Sequence, residues 1–157
     1  MTTLDDLATE VNALRQAVQV LADREEIRSL TKEYARTLDA RDLRAFSLLF
    51  AREGSWVGGS GAATGPEAIQ SMLEKSLSDN RSPSGPTLYH LTTDPEITVD
   101  GDHATATSFW MHVRRDDRDA PTLPTLGHYD DRYVREEGRW RFLERQVSSL
   151  MAARKSS

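Results

Sequence analysis

A chain of 157 residues with a hydrophobic fraction of 38% and a charged fraction of 29% suits one globular domain with a single core, and no apolar run approaches the ~20 residues that cross a membrane. Zero cysteines exclude disulfides, thiolate catalysis and cysteine zinc sites, and a net charge of -5 with pI about 5.4 argues against a nucleic-acid partner. The start, Met1-Thr2-Thr3-Leu4-Asp5-Asp6, lacks the basic and apolar regions of a secretory signal, so a cytoplasmic protein is expected.

Leu4, Leu7, Val11, Leu14, Val18 and Leu21 recur at alternating steps of three and four, the spacing of a heptad seam. Glu10 and Arg15 flank it at g and e positions. The seam calls for a partner, either the chain's own domain or a second copy, and residues 1–22 are expected to form a helical extension. Asp23, with Glu26 three residues on, forms a capping-box pattern that predicts a second helix through Leu38, with Ile27, Leu30, Tyr34 and Leu38 on one face. Asp42 is placed to cap a third, short helix carrying Leu43, Phe46, Leu49 and Phe50.

A short strand is expected at Ser55-Trp56-Val57, closed by a flexible turn at Gly58-Gly59-Ser60-Gly61, and Pro66 opens a helix to about Ser78. Residues 80–86, rich in Ser, Pro and Gly, read as a loop. Strand patterns then cover Leu88 to Val99, Ala104 to Arg115, Leu126 to Arg135 and Arg139 to Ser148, with turns at Asp100-Gly101 and Glu137-Gly138 and a bulge or break at Pro95. Helices first and an antiparallel meander second predict an α+β domain, with helices covering one face of a curved sheet.

Two residues stand out for chemistry. Asp39 places a negative charge at a helix C-terminus, which the helix dipole disfavours, so it calls for a compensating contact or serves only to shape the turn Asp39-Ala40-Arg41-Asp42. His90 shares a strand face with Leu88 and Thr92 and suits either a satisfied core histidine or a proton acceptor. His112 is placed similarly beside Trp110. Tyr34 lies about 140° around the helix from Asp39, so the two reach one cavity only if the helix ends near Asp39. Tyr129 shares its face with Asp131 and Tyr133. His90, His103, His112 and His128 show no metal-ligand spacing, so no metal is expected.

In the order of these elements, and in Asp23-Arg24-Glu25-Glu26-Ile27, Tyr34 through Asp42, His90, Val99-Asp100-Gly101-Asp102, Gly127-His128-Tyr129-Asp130-Asp131 and Gly138-Arg139-Trp140-Arg141-Phe142, the chain resembles the SnoaL-like group of the nuclear transport factor 2 superfamily. That resemblance implies a cone-shaped α+β fold enclosing a pocket. Asp39 and His90 match the aspartate and histidine used by the group's scytalone dehydratase, bile acid 7α-dehydratase and hexachlorocyclohexane dehydrochlorinase members, and Tyr34 is similar to a tyrosine of the bile acid enzyme. The implied activity is a cofactor-free elimination from a small hydrophobic cyclic molecule, with Phe50, Trp56, Trp110, His112 and Tyr129 contacting substrate. The group also holds isomerases, cyclases and non-catalytic subunits, and these remain open. The resemblance implies a trimer, whereas valine at a with leucine at d leans toward a dimer.

Overall fold

The computed structural model describes residues 3–78, 88–116 and 118–152, so the loop expected at 80–86 and the polar tail from Arg154 lie outside the described residues. Three helices, α1 (Leu4–Asp39), α2 (Leu43–Ser47) and α3 (Pro66–Leu77), accompany seven strands: β1 (Phe50–Gly58), β2 (Gly61–Thr64), β3 (Leu88–Thr92), β4 (Glu96–Asp100), β5 (His103–Arg115), β6 (Pro121–Glu136) and β7 (Arg139–Ala152). They form one curved, unclosed sheet in the order β2-β1-β7-β6-β5-β3, with β4 also paired to β5. All pairings are antiparallel except β1 with β7, which is parallel.

One expectation fails at the start. Asp23 opens no second helix, because α1 runs unbroken from a Thr3–Asp6 capping box to Asp39. No Gly or Pro interrupts residues 19–27, and an Asp inside a helix costs only about 0.6 kcal/mol relative to Ala. With no helix end to cap, Asp23 and Glu26 reach the β6–β7 hairpin instead. Asp23 Oδ1 accepts from Arg135 Nη2 at 2.7 Å and Trp140 Nε1 at 3.2 Å, and Glu26 accepts from the Trp140 backbone N–H at 2.9 Å. Burial would raise the Asp23 carboxyl pKa, but the hydrogen bonds from Arg135, Trp140 and Gln19 outweigh it and hold the group below its usual range.

The end of α1 follows its capping chemistry. The Arg41 N–H donates to the Leu38 carbonyl and the Asp42 N–H to the Thr37 carbonyl, which is the Schellman arrangement. Arg41 occupies the left-handed position, φ 60°, that glycine normally fills at a cost lower by about 1–2 kcal/mol. Asp42 then caps α2 through the Ala45 N–H as expected, although α2 stops at Ser47 and Phe50 already opens β1.

Further findings concern the strands. The expected turn at Gly58-Gly59-Ser60-Gly61 is the two-residue connection of a β1–β2 hairpin, with Gly58 opposite Gly61. At Pro95 the expected alternatives resolve to a break, which divides the first strand into β3 and β4, both on β5. β6 begins at Pro121, five residues earlier than the pattern suggested, because the register shift between His112 and Arg114 accommodates Pro124.

The inner face of the sheet and the second half of α1 share one core, with Ile27, Tyr34, Phe46, Tyr133 and Phe142 essentially inaccessible. Gly127 sets the position of one wall. A Cβ there would meet the Ser148 carbonyl oxygen at 2.0 Å and the Trp110 indole at 2.5 Å, so only glycine lets that indole lie against β6. Gly127→Ala is therefore expected to lower stability by about 1–3 kcal/mol by overpacking, read as a lower denaturant midpoint with unchanged slope.

Candidate active site

The sheet and helices enclose a cavity of about 420 Å³, a size typical of small-molecule sites. Asp39 is the last residue of α1, and because the helix ends there both Tyr34 and Asp39 line this cavity despite their offset around the helix. β3 presents Leu88 and His90 inward and leaves Tyr89 and Leu91 half-exposed on the other face, as strand alternation requires. His90 lies directly opposite His112 in the β3–β5 register.

Asp39 and His90, fifty-one positions apart, are in contact. His90 Nδ1 lies 2.6 Å from Asp39 Oδ1, and the His90 backbone N–H donates to both carboxylate oxygens at 3.2 Å. The carboxylate is thus held by main chain and ring together, which supplies the compensation its place at a helix C-terminus demands. The two side chains are 18% and 12% exposed, enough burial to strengthen the pairing while leaving a route from the cavity. With Nδ1–H donating to Asp39, Nε2 carries the lone pair, and it has no hydrogen-bond partner among the described residues.

His112 meets His90 edge-on, ring centroids 4.5 Å apart, and lies against Trp110 at 4.6 Å. Burial first, and then the neighbouring His90, push its pKa down to about 4 against the opposing charge of Asp39, so His112 is neutral at pH 7. Trp56 Nε1 donates to the Tyr34 hydroxyl oxygen at 2.9 Å, and that oxygen can still donate its own proton. Burial raises the Tyr34 phenol above its ordinary pKa against the pull of Arg145, so it stays protonated.

Of the aromatic residues expected at the substrate, Trp56, Trp110 and Tyr129 line the cavity together with His112. Phe50 does not: it is 1% exposed and packs between Phe46 and Phe142, because the bulged start of β1 turns it into the core. His103 is exposed, and His128 pairs with Asp130 at 2.9 Å, so neither joins the site. Among the described residues no cluster of His, Asp and Glu is arranged to hold a metal ion.

Two features escaped the sequence reading. Among the described residues, Arg41 is the one permanent cation that lines the cavity. Beneath the floor, Arg145 and Asp131 form a fully buried pair with contacts of 2.7 and 2.6 Å, and the Arg145 guanidinium lies 4.1 Å from the Tyr34 ring centroid and 3.9 Å from that of Tyr129. Alternation put Tyr129, Asp131 and Tyr133 on one face of β6, which the structure turns inward, but nothing local to Arg145 marked it as buried.

A family profile described as SnoaL-like domain matches residues 19–146. The chain belongs to the SnoaL-like domain family. Among solved structures, a nuclear transport factor 2-like protein with a cystatin-like fold from Novosphingobium aromaticivorans is 25% identical, with a TM-score of 0.74 over 96% of this chain and 92% of that one. A protein of the same organism assigned provisionally as a scytalone dehydratase is 20% identical, TM-score 0.72, over 90% of this chain and 93% of its own. The β subunit of a provisionally assigned aromatic-ring-hydroxylating dioxygenase, also from that organism, is 18% identical, TM-score 0.67, over 84% and 91%. The last two likenesses establish the shared fold alone. Among curated proteins, none matches this SnoaL-like chain. Among the described residues, no helix is long and apolar enough to cross a membrane.

Proposed function

We propose that this SnoaL-like protein is a cytoplasmic, cofactor-free lyase that eliminates water or a similar group from a small hydrophobic cyclic substrate. The observation that carries the reading is the 2.6 Å contact between Asp39 and His90 at the cavity wall. His90 Nε2 removes a proton from carbon, and the Asp39 carboxylate orients the ring and stabilises the imidazolium that forms. Tyr34 donates to the substrate oxygen as it gains negative charge, while neutral His112 adds a polar contact without repelling the charged His90. The imidazolium then returns its proton to the departing hydroxyl, which leaves as water and regenerates the base. Trp56, Trp110, Leu73 and Leu88 supply apolar walls for a ring compound. The exposed apolar stripe of α1 supports self-association as a homo-oligomer.

A panel of cyclic alcohols and β-hydroxy ketones, incubated without cofactor and followed by absorbance of the conjugated product and by mass, tests the reading. Loss of 18 mass units is the expected result for a hydroxylated substrate. A product of unchanged mass would instead mark an isomerase using the same base, and binding without turnover a non-catalytic subunit.

A further inference from the structure

Residues Thr3–Gln19 are exposed on every face of α1, so the first half of the helix, about 25 Å at ~1.5 Å per residue, stands clear of the sheet. Its apolar seam is open to solvent: Leu4 is 85% exposed, Leu14 60%, Val18 64% and Leu21 62%. A helix of this length without a partner is marginal in water, so its apolar stripe needs a covering surface. The face by which α1 packs on its own domain, through Ile27, Thr31, Tyr34 and Leu38, lies about 160° around from the seam at ~100° per residue. The chain's own domain therefore leaves the seam free. Beyond Leu21 the next two seam positions are Glu25 and Arg28, and Arg28 is committed to Glu25 and Asp94. The apolar seam ends where the domain begins.

We propose that this segment pairs with the same segment of a second copy as a parallel, two-stranded coiled coil. Leu7, Leu14 and Leu21 fill every d position, and Val11 and Val18 fill two of the three a positions, the combination that favours two strands. The charges decide the direction. In a parallel pair, Glu10 at g faces the partner's Arg15, five residues further along at e, and symmetry makes this contact twice. In an antiparallel pair using the same seam, Glu10 would face an alanine, Ala17, and Arg15 would face Ala8. Neither Glu10 nor Arg15 has an ion-pair partner among the described residues of its own chain.

Sedimentation of the full chain at micromolar concentration is expected to give twice the chain mass, and Leu14→Glu is expected to give the monomer with its thermal unfolding otherwise preserved. A dimer that survives Leu14→Glu overturns the seam as its cause, a monomeric wild type overturns pairing, and a threefold mass overturns the two-stranded order. Since the chain has no cysteine, Leu14→Cys reports direction. Position 14 faces its own copy only in the parallel arrangement, so ready oxidation to a covalent dimer is expected and failure to cross-link overturns the orientation.

A separate observation concerns the cavity mouth, and it rests on the reading of that cavity as a substrate site. Arg41 holds a left-handed position suited to glycine, lines the cavity, and has no side-chain partner among the described residues. The geometry points to Arg41 as the residue that receives a carboxylate or other anionic substituent on the ring substrate. Arg41 follows Asp39 by two residues and lines the same cavity as His90, so an anion it receives shares that cavity with the base. Binding of 2-naphthoate and of its methyl ester, read by quenching of tryptophan emission, tests this. Wild type is expected to prefer the acid. Arg41→Gly is expected to bind the acid about tenfold more weakly and the ester equally well, while unfolding at a higher temperature. An equal affinity of wild type for acid and ester, or unchanged acid binding by Arg41→Gly, overturns the assignment. Failure of both ligands to bind overturns the substrate-site reading and this assignment with it, whereas absent turnover with intact acid preference leaves Arg41 in its role and removes only the elimination.

Discussion

Asp39→Asn and His90→Ala are each expected to lower turnover of a substrate found in the cyclic panel by about 10²–10⁴-fold without unfolding the protein. The loss comes from different ends of one device. His90→Ala removes the group that takes the proton. Asp39→Asn keeps a side chain of the same shape beside His90 but removes the negative charge that stabilises the imidazolium. Because the two act as a unit, the double variant should be scarcely worse than the poorer single one. Removing a carboxylate from the end of α1 also relieves an unfavourable contact with the helix dipole, so Asp39→Asn should cost little stability. Rates from product absorbance, with denaturant midpoints measured beside them, separate chemistry from folding. Turnover within a factor of about ten of wild type in both variants would remove the pair from the mechanism.

Arg145→Met should produce the largest stability loss, about 3–5 kcal/mol, because it leaves the Asp131 carboxylate buried without its counter-charge. Burial by itself would depress the Arg145 pKa, but the Asp131 charge outweighs that and raises it, so the guanidinium stays charged in the core. The same cation is flanked by the Tyr34, Tyr129 and Phe142 rings, so its loss also loosens the cavity floor. Replacing both partners, Arg145→Met with Asp131→Leu, removes the stranded charge as well as the pair, and stability should return to within about 1–2 kcal/mol of wild type. Tyr133, which donates to Asp131, retains Thr31 at 3.4 Å as an alternative partner. Urea denaturation of the single and double variants measures this. A double variant as unstable as Arg145→Met would show that packing, rather than an unpaired charge, is what the pair supplies.

The elements that were legible in the chain are those set by local chemistry. Asp42 followed by Leu43 and Phe46 marked a capped helix, Pro66 marked a helix start, and alternation put Leu88 with His90 and Trp110 with His112 on shared faces, all as found. The misreadings share a cause. Asp23 with Glu26 has the pattern of a helix cap, yet its carboxylate clamps a hairpin more than a hundred residues away, and local sequence cannot distinguish the two uses. The strand pattern began only at Leu126, whereas a bulge lets β6 start at Pro121 and pass Pro124. Phe50 belonged to an aromatic set that suited a cavity wall, but the bulge in β1 turns it into the core.

The heptad spacing of Leu4 to Leu21, the end of the helix near Asp39 and the grouping of Leu88 with His90 on one face of β3 follow from residue order alone, because each depends on periodicity or capping within a few positions. The contact of Asp39 with His90, the crossing of Arg145 to Asp131 and the place of Arg41 at the cavity were decided only by the tertiary structure. Each joins elements whose relative position depends on sheet register, bulges and the angle at which α1 meets the strands, and those are properties of the whole packed core.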